Sequence, residues 1–562
     1  MKKTILSVLT LVALLLIPGR GESCTNLLIT KGASKDGSVM VTYSADSHQL
    51  YGELYFKKGN SFAPGTMLKI YEWDTGKYLG EIPQVEKSYY TVGNMNEHQV
   101  IITETTFGGR DLSDAHGIMD YGSLIYVTLQ RAKSAREAIK IMTDLVKEHG
   151  YYSSGESFSI ADKNEVWILE MIGKGVNMKD GKNLNKGAVW VAVKIPDGYV
   201  SAHANQARIT TFPLNDSENC IYAPDVITFA REKGWYKGAD KDFSFSDTYA
   251  PLDFGGMRAC EARVWAAFNI MGKGVIGDKP YTYYQDYAMG HNAKNRMPLY
   301  IKPAEKLTVK MVADVMRDHY EGTVLDMTQD IGAGGHALPY RWRPMGFEVD
   351  GVRYVNERAI ATQQTGFWLL GQARNWLPDE IGGIFWFGVD DAATSALTPI
   401  YSSSLRVPEC FREGNGNMTT YSSTSAFWIF TRVAQFAYLL YDRVAPEVKK
   451  VADKHELDAL ERTPAIDAAA MELYKQSPQK AREFLTDYSV RTAQDLFAKW
   501  VALDQYLLVK FMDGNVKKQD ANGCFIDNGN GTKIPASPST PGYSDMWKRA
   551  VKESAGERLK SM

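Results

Sequence analysis

The chain is poor in cysteine and histidine, nearly without net charge and, past its first residues, without a long apolar run. Five cysteines in 562 residues are too few for a disulfide framework, and no CxxC or CxxH pair gives the spacing of a structural zinc site. Nine scattered histidines with no HExxH remove the helical zinc-protease motif. Sixty-four Lys and Arg against 66 Asp and Glu leave a formal charge of −2, with no basic excess to hold a polyphosphate backbone, which argues against nucleic acid as a partner. Gly332-Ala333-Gly334-Gly335 lacks the Lys-Ser/Thr of a phosphate loop, and Asp527-Asn528-Gly529-Asn530-Gly531 lacks the Glu that closes a calcium loop. No metal and no cofactor is expected. Nor is there an internal repeat or a low-complexity block.

Apolar and aromatic residues are abundant. At 44% hydrophobic and 12% aromatic, with 31 Tyr, 22 Phe and 12 Trp, the chain can build a large core and pockets for organic ligands.

Lys2 and Lys3 followed by the apolar stretch Ile5 to Pro18 form a secretory leader, too short for a comfortable membrane span. Gly21 and Ser23 fit the −3 and −1 positions of a cut after Ser23, which makes Cys24 the first mature residue. The expectation is an exported bacterial protein, periplasmic, secreted or surface-bound, with no stable membrane insertion once the leader is gone. A cysteine at a mature start has three meanings: a lipidated anchor, a plain buried or disulfide-bonded thiol, or a nucleophile whose own α-amine is the base. In the third, a thiol of pKa about 8.5 sits beside an amine of pKa about 7.7 to 8, so base and nucleophile share one residue.

Short β-like runs follow: Cys24 to Thr30 and Ser38 to Ser44, joined through Lys35-Asp36-Gly37 as a hairpin. Val100 to Thr106, Ser157 to Ala161, Glu165 to Glu170, Ala188 to Lys194 and Ile381 to Val389 are further strands, with a second hairpin turning at Lys163-Asn164. Ser134 to Glu148 reads as a helix, with a Ser134/Glu137 capping box and Ala138, Ile139, Met142, Leu145 and Val146 on one face. After about Ser425 the chain turns helical, with Pro464 and Pro478 expected to break it into separate helices, and Asp520 to Thr540 reads as exposed loop. The expected division is a leader at 1–23, a catalytic body at 24–420, a helical region at 421–515 and a loop-rich tail at 516–562.

Cys24-Thr25-Asn26-Leu27-Leu28-Ile29, with Lys31-Gly32-Ala33-Ser34 and Asp36-Gly37-Ser38 behind it, resembles the mature start of bacterial cysteine dipeptidases of the dipeptidase A type, which are N-terminal nucleophile hydrolases. Four further stretches are similar in family order across roughly 24 to 405. They are Tyr151 to Phe158 continuing into Ala161 to Glu170, Ala204-Asn205-Gln206-Ala207-Arg208-Ile209 with Asp216 to Asn219, Ala262-Arg263-Val264-Trp265, and Leu377 to Gly383. The resemblance implies an α+β fold of four αββα layers, two packed antiparallel sheets between helices, with the helical C-terminal region added. It implies a small peptide as substrate, and a homo-oligomer is compatible with it.

By that resemblance Cys24 is the nucleophile and Asp46 the acid that positions its amine. Asn205 is an oxyanion donor, and Arg263 the cation that favours thiolate, with Arg258 as the alternative if the register shifts. Thr106, closing its strand, offers a second donor. An Arg common in the related penicillin and bile-salt acylases is replaced by Tyr43. Cys220, Cys260, Cys410 and Cys524 are expected to be core thiols, one or two disulfides being open in an exported setting. Phe367-Trp368 and Phe385-Trp386-Phe387 are expected in sheet core more than in a pocket. Two other functions stay open: a non-peptide amidase of the acylase type, and a lipid-anchored binding protein with Cys24 acylated.

Overall fold

The computed structural model describes residues 24–110, 112–532 and 534–561; the leader at 1–23 lies outside the described residues. The main strands are β1 (Asn26–Ile29), β2 (Val39–Asp46), β3 (Ile101–Gly108), β4 (Gly155–Ala161), β5 (Val166–Gly173), β6 (Ala188–Lys194), β7 (Val200–His203), β8 (Thr365–Ala373), β9 (Ile384–Val389) and β10 (Thr398–Tyr401). Among the described residues they build two large antiparallel sheets. One, of seven strands, runs from Tyr300–Ile301 through β7, β1, β2, β8 and β9 to β10. The other, of eight, runs from Cys220–Tyr222 through β6, β5, β4 and β3 to three short strands at Met95–Asn96, Thr91–Val92 and Phe56–Lys57.

Alternation along each strand decides what lies on either side. Leu28, Val41, Ile101, Ile168, Leu369 and Phe387 share one cluster between the sheets. Their neighbours Leu27, Met40, Trp368, Leu370 and Trp386 face a second cluster, and Ile102, Phe158, Trp167 and Leu169 a third. Because both faces of each sheet are apolar, each needs cover on its outer side. Helices α1 (Tyr121–Leu129) and α2 (Ala135–His149) cover the eight-stranded sheet, and α3 (Ala262–Met271) with Val309–Val315 covers the other. The result is α+β with a helical C-terminal region. As expected, α2 starts at Ser134, whose hydroxyl accepts from the Glu137 amide.

A buried polar girder also ties the sheets together. His203 on β7 lies 2.7 Å from both Thr105 on β3 and Ser159 on β4, and the Asn26 side chain lies 2.8 Å from Thr103 and 3.1 Å from Ser159. Burial pushes the His203 pKa down to about 3, so its imidazole is a neutral hydrogen-bonding link.

Several expectations need correction. Ile381 belongs to a short helical turn, Asp379–Gly382, and the strand starts at Ile384. Pro464 does not end a helix: with Pro446 it lies inside one long helix, α5 (Tyr441–Gln476), between α4 (Ala426–Leu439) and α6 (Pro478–Phe511). Packing of α5 along α6 holds the helix through the lost hydrogen bond. Pro478 does mark a boundary, at the first turn of α6 where its missing N–H costs nothing. The tail carries a helix at Asp545–Ala555 beyond its loop. Cys220 and Cys410 are buried free thiols and Cys260 is half-buried, but Cys524 is exposed, because it sits in the polar, Gly-rich tail and not in a core. Among the described residues no helix is long and apolar enough to cross a membrane.

The C-terminal helices share the central core. Trp500 of α6 is fully buried and stacks on Phe430 of α4 with ring centroids 4.3 Å apart, in the same cluster as the inner faces of the sheets. Trp500→Ala is expected to cost about 3–5 kcal/mol of stability. Trp500→Phe is expected to cost less, since it also removes an indole N–H that has no partner among the described residues. Urea midpoints at constant slope measure both; an unshifted midpoint for the alanine variant would show that this stack does not hold the helices to the sheets.

Candidate active site

Cys24 stands two residues ahead of β1, and the bridge between Thr25 and Ser44 on β2 extends the hairpin toward it. It shares the parity of Asn26 and Leu28, so its side chain turns between the sheets. There it lines a cavity of about 330 Å³. Tyr51, Tyr55, Trp73, Tyr121 and Phe367 give that cavity aromatic walls, and Asp46, Glu53, Asp74 and Glu104 give it carboxylates. Phe367 thus serves the pocket, while Trp368 packs on the opposite face of β8.

The Cys24 sulfur lies 3.6 Å from the Tyr43 hydroxyl and 3.7 Å from Glu104 Oε1, and the Tyr43 hydroxyl donates to the same Glu104 oxygen at 2.6 Å. Burial, then the charges of Glu104 and Asp46, push the thiol well above its ordinary pKa, against hydrogen bonds from the Asp46 backbone and Tyr43. The resting sulfur is therefore protonated, and chemistry on it needs a base.

Arg263 is the anchor. It opens α3 behind a wide turn at Gly256–Glu261 and is almost fully buried. Its five N–H groups meet five neutral oxygens. Nη1 donates to the Cys24 carbonyl at 2.6 Å and to Thr25 Oγ1 at 2.9 Å. Nη2 donates to the Ala204 carbonyl at 3.1 Å and Asn205 Oδ1 at 2.9 Å, and Nε to the Ala259 carbonyl at 2.8 Å. The guanidinium thus grips the backbone of Cys24, and the contact runs to its carbonyl, not its sulfur. Arg258 instead pairs with Glu357 at 2.5 Å, and Glu261 pairs with Arg208 at 2.9 Å.

Asp46 ends β2 in the cavity wall, fully buried, with its carboxylate paired to Arg358 and accepting from Thr365 at 2.6 Å and Ser44 at 3.2 Å. Asn205 has a left-handed backbone, φ 62°, which Asn tolerates better than most residues. Its amide donates to the Thr106 carbonyl at 2.8 Å, which leaves a second N–H for another acceptor. The Thr106 hydroxyl is spent on Glu156 at 2.9 Å. Cys24 and Asp46 therefore share the cavity, while Asn205 and Thr106 reach Cys24 through Arg263.

Sequence reasoning missed Glu104, Glu156 and Arg358. Alternation along β3 gives Glu104 the parity of Ile102, on the helix-covered side. Yet β3 outruns its short neighbour, pairing with it only at Ile101 and Met95, and past that point alternation no longer decides which side chain meets the cavity. A charged residue inside Val-Ile-Ile-Thr-Glu-Thr-Thr was the available signal. Glu104 and Glu156 sit side by side, buried and hydrogen-bonded to each other. Burial raises the pKa of both, and the Glu104 charge drives that of Glu156 higher still. The pair therefore keeps a proton above the ordinary carboxylate range.

The family model described as Peptidase family C69 matches residues 59–454, which leaves Cys24, Tyr43 and Asp46 ahead of the matched span. A probable dipeptidase of Salmonella dublin is 24% identical over 428 residues, 71% of this chain and 85% of its own length. The probable dipeptidase B of Lactococcus lactis subsp. lactis (strain IL1403) is 23% identical over 467 residues, covering 78% and 87%. Dipeptidase A of Lactobacillus helveticus is 23% identical over 465 residues, covering 77% and 87%.

The carboxyl pair has a pH signature. A carboxyl whose folded pKa is raised keeps a proton that the unfolded chain has released, so stability falls as pH rises from the ordinary carboxylate range toward the raised value. Glu156→Gln supplies the same donor without titrating. As pH rises from the ordinary carboxylate range to about 7 and beyond, the variant is expected to gain stability relative to the unaltered protein. Denaturant midpoints across that range measure it, and parallel curves would mean the pair holds no proton.

Proposed function

This chain belongs to peptidase family C69 and is a cysteine-type dipeptidase; from that premise we propose that it is exported, that removal of residues 1–23 frees the α-amine of Cys24, and that the enzyme works as an N-terminal nucleophile hydrolase. The observation that carries the reading is the Arg263 grip on the Cys24 carbonyl, which fixes a buried thiol in the wall of a dipeptide-sized cavity.

A protonated thiol with no histidine among the residues lining its cavity fits a base supplied by the same residue. The Cys24 amine takes the thiol proton as sulfur attacks the scissile carbonyl carbon, forming the C–S bond and an oxyanion. The backbone at Asp46, beside the sulfur, is the donor at hand for that oxygen, and Asn205, held to Cys24 through Arg263, is assigned as the second donor through its remaining N–H. As the C–N bond breaks, the ammonium returns its proton to the departing amine, leaving a thioester. Water then adds to the thioester carbonyl, its proton passing to the amine. The C–S bond breaks, sulfur recovers a proton, and the free acid leaves. Arg263 holds amine and sulfur in fixed relation throughout, and its pull on the Cys24 carbonyl disperses negative charge near the site.

Cys24→Ala is expected to lower kcat/KM on dipeptides by at least about 10³-fold, and Cys24→Ser by at least about 10²-fold. A chain that keeps one uncleavable residue ahead of Cys24 should lose activity to the alanine level, because its nitrogen is then an amide and no base. N-terminal sequencing with single-turnover assays on Phe-Ala measures all three. Full activity with a blocked Cys24 would falsify the shared-residue mechanism, and a diacylglyceryl mass on Cys24 would replace it with the anchored binding protein.

A further inference from the structure

The cavity beside Cys24 is anionic. Among the described residues its lining carries Glu53, Asp74, Asp46 and Glu104 and no Lys or Arg. Three of these carboxylates have partners that account for them. Asp46 is neutralised by Arg358, Glu53 accepts from the Gly414 amide at 2.8 Å, and Asp74 accepts from the Tyr121 hydroxyl at 2.7 Å. Glu104 differs: it is almost fully buried, its hydrogen-bond partners include the Tyr43 hydroxyl and the Glu156 carboxyl, and its Oε1 lies 3.7 Å from the sulfur.

That separation matches a substrate dimension. In an aminoacyl group the amino nitrogen stands about 2.5 Å from the carbonyl carbon, from the standard N–Cα and Cα–C lengths and angle. A sulfur poised for attack stands about 3–3.5 Å from that carbon. An ammonium 2.7–2.9 Å from a carboxylate oxygen makes a charge-assisted hydrogen bond. With sulfur and Oε1 3.7 Å apart, the three contacts close into one compact figure. A blocked amine fits the figure badly, because it has no charge to offset the buried carboxylate and adds an acyl group where the wall stands.

We propose that Glu104 receives the α-ammonium of the residue whose carbonyl Cys24 attacks, so that the enzyme reads an unblocked amino terminus. The inference rests on Cys24 being the nucleophile. Tyr43 holds the carboxylate from one side and Glu156 lies hydrogen-bonded on the other. The aromatic walls formed by Tyr55, Trp73 and Phe367 are left to the substrate's side chain.

The test compares Phe-Ala with 3-phenylpropanoyl-Ala, which differ only in the amine. The unaltered enzyme is expected to prefer Phe-Ala by at least about 10²-fold in kcat/KM, as a site built around one polar group does. In Glu104→Gln the preference should fall below about tenfold, through a KM raised for Phe-Ala more than for 3-phenylpropanoyl-Ala. An intact preference overturns the proposal. Equal losses on both substrates also overturn it, and make Glu104 a base or a positioning residue for Cys24. Failure of the premise looks different: Cys24→Ala then keeps turnover of Phe-Ala. A check on the unaltered enzyme does not depend on how the variant folds. L-phenylalaninol should compete with Phe-Ala at least about tenfold more strongly than 3-phenylpropanol. Equal competition by the two alcohols rejects the ammonium contact.

Discussion

The site depends on one buried cation placed among neutral oxygens. Arg263 has all five donors satisfied, at distances from 2.6 to 3.1 Å, by groups from three separate parts of the chain: Cys24 and Thr25, Ala204 and Asn205, and Ala259. A guanidinium carries a rigid fork of N–H groups that a lysine cannot imitate, so it can hold three chain segments in one plane. Removing it would leave four buried carbonyl or amide oxygens and a hydroxyl in search of partners. The residue on which the chemistry turns is thus held by its backbone, which leaves its sulfur free to react.

Around that anchor the protein manages proton location more than net charge. Burial raises the thiol and both carboxyls of the Glu104–Glu156 pair, and lowers His203, so most groups near the site rest neutral. Glu104 is the carboxyl of that pair that stands beside the sulfur. An anionic pocket beside the nucleophile favours a ligand that brings the opposite charge, which suits a free peptide amine. Asp46 sits in the same wall, but it is a structural link, ion-paired with Arg358 in the segment before β8 and accepting from Thr365 at the start of β8.

Much of the frame was legible in the sequence because it rests on local periodicity. The two hairpins, the strand Ala188–Lys194 and the capped helix Ala135–His149 stand where alternation, turns and a capping box placed them. Pro464 misled because a local breaker was outweighed by packing against a neighbouring helix, and Ile381 because a short helical turn has no periodicity to read. Cys524 misled because a hydrophobe-like residue in a polar tail has no core to enter.

What the sequence determined by itself was the inventory: a charged and apolar stretch at its start, a cysteine set to begin a strand, and an ordered series of stretches similar to cysteine dipeptidases. Those are facts about neighbours along the chain, where steric and hydrogen-bonding rules act over a few residues. Which groups meet Cys24 was decided only in three dimensions. Glu104 is 80 residues away, Arg263 is 239 away, and Arg358 is 312 away from Asp46. No local rule fixes such distances, because they follow from how two twisted sheets stack and where a strand outruns its neighbour.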